Sequence, residues 1–257
     1  MQITFLGTGT SHGVPMIGCE CSTCRSDDPR DRRLRPSIFI TTDDGMRLLV
    51  DAGPDLRAQA LTHRINAVDA IVFTHGHADH ILGLDDVRRY NGLMQRPMAL
   101  YGDSQTLAEI RGTFGYAFNP NPPKGGGIPE LRLFEIAGPF CIGRQEVVPV
   151  PVLHGERPIL GLRFGRFAYL TDCSAIPEPS WPLLEGLDVV VLDALRVRKH
   201  PTHFSLSEAV EAAARIGARR TYFTHMCHDL AHEETCRQLP DGVTLAYDGL
   251  RLTVGES

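Results

Sequence analysis

The chain has 257 residues, 42% of them hydrophobic and 22% charged, which is ordinary for a soluble globular protein. A chain of that length buries roughly 70–75% of its unfolded surface, so it needs no disulfide staples. A net charge of −5, from 31 acidic against 26 basic side chains, disfavours a dedicated polyanion binder, and no apolar run is long enough for a membrane-spanning helix.

The first residues, Met1-Gln2-Ile3-Thr4-Phe5-Leu6-Gly7, carry no basic leader and no apolar stretch of signal length, so a cytoplasmic location is expected. A strand over residues 2–6 runs into Gly7-Thr8-Gly9-Thr10-Ser11-His12-Gly13. The Gly-x-Gly there lacks the spacing and the following helix of a dinucleotide-binding loop. Its glycines let a turn pass close to a site, and His12 is a candidate substrate contact. Cys19, Cys21 and Cys24 come next as Cys-x-Cys-x-x-Cys, three of seven cysteines in all. In a reducing compartment that spacing favours metal ligation over disulfides. Tetrahedral zinc wants a fourth ligand. The stretch His225-Met226-Cys227-His228 offers His228, with Cys227 as a competing choice. Cys141, Cys173, Cys227 and Cys236 otherwise read as small buried apolar residues. The run Arg30, Arg32, Arg33 and Arg35 reads as a solvated face.

Further strands are expected over residues 37–41, 47–50, 70–73, 98–101, 131–136, 146–152, 161–164, 167–170, 189–192 and 221–223. A hairpin over 243–254 would bend around Asp248-Gly249. Helical patterns occupy 54–63, 78–94, 105–114, 207–216 and 230–239. In 207–216 an apolar side is preceded by Ser205 as N-cap, with Glu208 three residues on and Gly217 as stop. Strand runs with helices interspersed suit an α/β arrangement of packed sheets with helices outside, in a single domain over 1–257. The stretch 119–129, rich in Pro and Gly, reads as a surface connection or an active-site lid.

The strand at 70–73 ends in Thr74-His75-Gly76-His77-Ala78-Asp79-His80. That density of imidazole and carboxylate at a strand-to-helix turn is costly unless the groups are paired or metallated. The donor types suit borderline divalent ions such as Zn²⁺, Mn²⁺ or Fe²⁺. Three more apolar strands terminate in candidate ligands: His154, Asp172 and His225. Asp51, in Leu-Leu-Val-Asp-Ala-Gly, is either a turn residue or a support for the metal loop.

His-x-His-x-Asp-His followed by His, Asp and His on later strands resembles the metallo-β-lactamase superfamily along essentially the whole chain. The resemblance implies an αββα sandwich, two packed mixed sheets with helices outside. It also implies one metal on His75, His77 and His154, and a second on Asp79, His80 and His225, with Asp172 bridging. Lactamases of the superfamily generally lack that bridging aspartate, whereas its phosphodiesterases and thioesterases have one. The cysteine cluster and His-x-x-His are similar to the phosphoribosyl cyclic phosphate phosphodiesterase (PhnP-like) branch. That likeness implies a structural zinc on Cys19, Cys21, Cys24 and His228. It also implies a phosphate-contacting or proton-donating histidine before the capped helix, His203, with His200 as runner-up.

The expected activity is two-metal hydrolysis of a small phosphodiester, a cyclic ribose phosphate or a small nucleotide-like diester, with Asp79, His203 and His200 as catalytic candidates. Arg196, Arg198 and Lys199 add positive charge nearby. The expected cofactors are two divalent ions (Zn or Mn, with Fe as a further option) and one structural Zn. The expected partner is the small substrate, with no nucleic acid and no membrane, and a homodimer is allowed. tRNA 3′-end processing and thioester hydrolysis are the enzymatic alternatives, and a metal-holding carrier module is the non-enzymatic one. The longer 119–129 loop departs from the branch and leaves the substrate open.

Overall fold

Alternation of apolar side chains organises the chain into two seven-stranded sheets. The computed structural model describes residues 1–119 and 127–255. The first sheet collects β1 (Gln2–Gly7), β2 (Ser37–Thr41), β3 (Arg47–Val50), β4 (Ala70–Val72), β5 (Met98–Gly102) and β6 (Leu131–Glu135) in sequence order. The second collects β7 (Phe140–Ile142), β8 (Gln145–His154), β9 (Arg157–Phe164), β10 (Phe167–Leu170), β11 (Val189–Asp193), β12 (Arg220–Thr224) and β13 (Val243–Leu245). A last strand, β14 (Arg251–Thr253), returns to the first sheet beside β1. Each sheet mixes parallel and antiparallel pairs.

Strand β11 shows why the layers stack. Val189 and Val191 face the core between the sheets, together with Phe5, Ile38, Phe164 and Tyr169. Val190 and Leu192 face the opposite side, against Ala209 and Ala213 of α5 (Leu206–Ile216). On the first sheet, Leu49, Ile71 and Leu100 pack outward under α1 (Leu56–His63) and α4 (Ser104–Thr113), through Leu56 and Ile110. A sheet buried on both faces needs apolar residues at every position, and β11 is buried throughout. Together these layers form the αββα sandwich. Among the described residues no helix is long and apolar enough to cross a membrane.

Helix α5 has the expected ends: Ser205 accepts the Glu208 N–H, Glu208 returns to the Ser205 N–H, and Gly217 closes the helix at φ 66°. The helix expected over 78–94 is broken instead. It divides into α2 (Ala78–Ile81), a 3₁₀ stretch Leu82–Val87 and α3 (Arg88–Met94). The cause is tertiary: Gly83 donates to the Ala52 carbonyl at 2.8 Å, and a Cβ on Gly83 would meet the Gly53 carbonyl oxygen at 2.1 Å. The hairpin over 243–254 is also corrected, because β13 and β14 lie in different sheets. The turn at Asp248 crosses between them, held by Thr8 Oγ1 and the Leu34 N–H, at 2.8 and 2.7 Å. Cys141 is exposed instead of buried, whereas Cys173 is buried as expected. Of the loop 119–129, residues 120–126 lie outside the described residues.

The arginine run is a further correction. The Arg33 side chain is fully buried. It pairs with the buried Asp31 at 3.0 Å and donates to the carbonyls of Cys227 and Leu230 at 3.0 and 2.5 Å. It therefore ties the N-terminal loop to the segment after β12. Because removal of one partner strands a buried charge, Arg33→Met should lower unfolding stability by about 3–5 kcal/mol, read by chemical denaturation. A loss below about 1 kcal/mol would show that this clamp contributes little.

Candidate metal centre

Strand ends deliver the polar groups to one edge of the sandwich. β4 leads into the loop carrying His75, His77, Asp79 and His80; β8 ends on His154; Asp172 follows β10; Asp193 closes β11; His225 follows β12. Ligand-capable atoms of His75, His77 and His154 lie within 4.8 Å of one another, and those of Asp79, His80, Asp172 and His225 do likewise. Asp172 reaches both groups. Its Oδ1 is 3.2 Å from His225 Nε2 and 3.9 Å from His75 Nε2, and its Oδ2 is 3.2 Å from His80 Nε2.

Buried partners fix the rings. Asp51 Oδ2 takes His80 Nδ1 at 2.8 Å and the Thr74 hydroxyl at 2.8 Å, while its Oδ1 takes the Thr74 N–H at 2.9 Å. The Thr202 carbonyl accepts from His154 Nδ1 at 2.7 Å, leaving His154 Nε2 as a lone pair. Three of the residues that shape the site adopt left-handed backbone: Asp51 at φ 61°, Asp172 at 54° and His225 at 61°. Such non-glycine conformations collect where function fixes the backbone. Gly76 answers a close approach, since a Cβ there would meet Glu109 Oε2 at 1.9 Å. Glu109 is itself bound by Arg157 at 2.8 Å.

Electrostatics test whether cations fit. Burial keeps His75 well below the usual imidazole range, and burial lowers His77 and His154 too, so these rings are neutral donors. Burial opposes charge on His225, but Asp172 and Asp79 outweigh it and push the ring up to about 9. His80 rises for the same reason, beside Asp172 and Asp51. The carboxylates thus demand positive charge at this spot, and a divalent cation answers the same demand. Meanwhile, among the described residues, the buried Nε2 atoms of His80 and His225 have carboxylate oxygens near them but make no hydrogen bond. Neutral imidazoles, carboxylates and orphaned ring nitrogens form a donor set that fits divalent metals.

His203 stands at the rim of both groups. Its ring stacks on His225 at 4.8 Å and meets His154 at 4.6 Å. Its Nδ1 lies 2.8 Å from Asp193 Oδ2. Burial drives the Asp193 carboxyl up and the His203 imidazole down, which favours the neutral pair across that bond. With the carboxyl protonated toward Nδ1, the ring keeps its own hydrogen on Nε2. Asp193 was not singled out from the sequence, although it ends the apolar run Val189–Leu192 as Asp172 and His225 end theirs. His200 lies farther out, its ring 5.2 Å from His203.

A second cluster lies beside the first. His228 Nδ1 is 3.1, 3.3 and 3.7 Å from the sulfurs of Cys19, Cys21 and Cys24. Cys227 is not part of it, and its sulfur accepts the Asp229 N–H at 3.3 Å. The geometry therefore brings His228 to the thiols. The Cys24 N–H lowers the Cys21 thiol to about 6 against partial burial, whereas burial raises Cys24 to about 11. Met226 joins the two clusters by backbone pairing with Thr8 and Thr10.

A family model described as a Beta-lactamase superfamily domain matches residues 46–226. The chain belongs to the metallo-β-lactamase superfamily. A crystal structure of a diphosphatase from the PhnP family superposes on this superfamily member with a TM-score of 0.93. It is 46% identical, with 99% of this chain and 98% of that one covered. Zn²⁺-bound PqqB from Methylobacterium extorquens superposes with a TM-score of 0.81 at 20% identity, over 99% and 100% of the two chains, which shows the fold alone. A protein from Porphyromonas gingivalis named Octanoyltransferase is 38% identical over 100% of this chain. The chain spans about half of that relative's length (52%). The chain has the metallo-β-lactamase fold, and its donor set fits divalent metals.

Proposed function

We propose that the protein hydrolyses a small phosphodiester at a dinuclear metal centre. The observation that carries this reading is Asp172, whose carboxylate reaches from the His75 side to the His80 and His225 side. Its likeness to a PhnP-family diphosphatase across nearly the full chain supports the same phosphoryl chemistry.

In this reading His75, His77 and His154 hold one cation, Asp79, His80 and His225 hold the other, and Asp172 is shared. The pair would supply Lewis acidity toward the phosphoryl oxygens and a water acidified to a nucleophile near neutral pH. Cys19, Cys21, Cys24 and His228 hold a separate structural zinc, a closed donor set with no open position. Asp51 and the Thr202 carbonyl keep His80 and His154 oriented. His203 presents its Nε2 hydrogen to the leaving oxygen, and Asp193 replaces that proton from behind. His203→Gln should retain the metals and lower kcat by about 10²–10⁴-fold. Steady-state kinetics and metal analysis on the same sample check it, and a kcat within threefold of the parent would remove His203 from the proton step.

The direct test is metal analysis by mass spectrometry combined with turnover of bis(p-nitrophenyl) phosphate in Mn²⁺, Zn²⁺ and Ni²⁺. About three ions per chain and measurable turnover are expected. A single zinc without turnover favours a metal-holding scaffold and overturns the proposal.

A further inference from the structure

The three rings His75, His77 and His154 are not held alike. His75 Nδ1 lies 3.1 Å from the Thr74 hydroxyl, and His154 Nδ1 donates to the Thr202 carbonyl at 2.7 Å. His77 Nδ1 meets only His75 Nε2, at 3.0 Å, inside the group of ligand-capable atoms. Among the described residues its Nε2 has no hydrogen-bonded carbonyl, carboxylate or hydroxyl behind it. The aim of this ring is therefore set through its backbone, beginning at Gly76.

Two side chains from opposite layers close on that glycine. Glu109 comes from α4, outside the first sheet, and Arg157 opens β9 in the second sheet, in register with His154. Arg157 Nη2 donates to Glu109 Oε2 at 2.8 Å. A Cβ on Gly76 would meet the same oxygen at 1.9 Å and Glu109 Cδ at 2.9 Å, so the carboxylate lies directly against the Gly76 Cα. Gln105 Nε2 donates to the other oxygen at 3.2 Å. The Leu160 N–H, also on β9, donates to the Thr74 carbonyl at 3.0 Å and ties the same strand to the start of the loop. Burial, the His154 ring and the nearby Arg157 charge all oppose a proton on His77, which suits a neutral donor.

We infer that Glu109 and Arg157 form a positioning clamp for the cation of His75, His77 and His154. The pair presses on Gly76 to set His77 and, through the β8–β9 hairpin, holds His154 at the matching distance. Ligands contributed by two different sheets thereby keep one spacing. Arg157 and Glu109 are 20% and 32% exposed, and an ion pair so placed contributes little to global stability. Its contact with the backbone between two ligands gives it a local task instead. Asp51 and Thr74 hold the His80 side independently, so the clamp acts on one cation of the pair. The inference rests on the reading of His75, His77 and His154 as the ligands of one metal.

The test is competition titration of Zn²⁺ with a chromogenic chelator, on the parent and on Glu109→Ala, Arg157→Met and the double variant. Each single variant should weaken one ion by about 10–100-fold and leave the other two unchanged. His77→Ala identifies that ion, since it should lose the same one. The double variant should fall within about threefold of the weaker single variant, because both side chains serve one clamp. Arg157→Lys keeps a cation opposite Glu109 and should return the affinity to within about threefold of the parent. Tm should stay within about 3 °C throughout. Unchanged affinities in both single variants overturn the clamp, as does Arg157→Lys no better than Arg157→Met. Parallel weakening of all three ions with a larger fall in Tm shows general structural support and overturns it too. A parent protein that binds only one zinc defeats the dinuclear reading itself, and the clamp falls with it. Full loading of the parent with unaffected variants defeats the clamp alone.

Discussion

Replacing Asp172 with Asn lowers turnover of bis(p-nitrophenyl) phosphate by on the order of 10³-fold, the largest effect expected from one side chain. Asn keeps the size of the side chain and removes its charge. The carboxylate is 2% exposed; burial opposes its ionisation, and His225 and His80 overcome that to hold it well below the usual range. It is the group common to both imidazole sets, so its neutralisation lowers the affinity for both cations at once. The accompanying result is a loss of roughly one metal equivalent, read by mass spectrometry on the purified variant. Full turnover with metals retained would remove Asp172 from the bridging position.

The second large effect is at the thiol cluster. Cys21→Ser or His228→Ala should release one zinc and lower stability by several kcal/mol, since a structural zinc contributes its binding free energy to folding. For a chain of this size, roughly 3 kcal/mol corresponds to a fall in Tm of about 10 °C. Zinc release is followed with a chromogenic chelator and Tm by scanning fluorimetry. The effect should extend to catalysis, because Met226 is pinned to Thr8 and Thr10 between His225 and His228. Loosening that segment lets His225 move, so kcat falls as well. Unchanged zinc content together with unchanged Tm would dispose of the cluster as a zinc site.

Much of the cluster was legible because candidate ligands sit at strand ends, where apolar runs stop on His or Asp. His75 to His80, His154, Asp172 and His225 are such residues, and the structure places them together. Asp193 carried the same signal, but a single acid after Val189–Leu192 is also an ordinary turn residue. What sequence patterns did not show depends on contacts between distant segments. Helical periodicity from 78 to 94 says nothing of the Ala52–Gly53 backbone that interrupts it at Gly83. Four arginines in six positions resemble a wet surface. The Cys227 and Leu230 carbonyls, nearly two hundred residues away, join Asp31 in holding Arg33 inside. Asp248 misleads in the same way: a local turn signal conceals a crossing between sheets.

The left-handed residues Asp51, Asp172 and His225 set side-chain reach against backbone ease. At each, glycine would relax the backbone by roughly 1–2 kcal/mol and delete the chemistry in the same stroke. At Asp51 glycine would also strand the buried Thr74 N–H and hydroxyl and His80 Nδ1 without their acceptor, a cost larger than the backbone relief. Their backbone conformation marks where the chain departs from the easiest geometry to aim buried polar side chains at one spot.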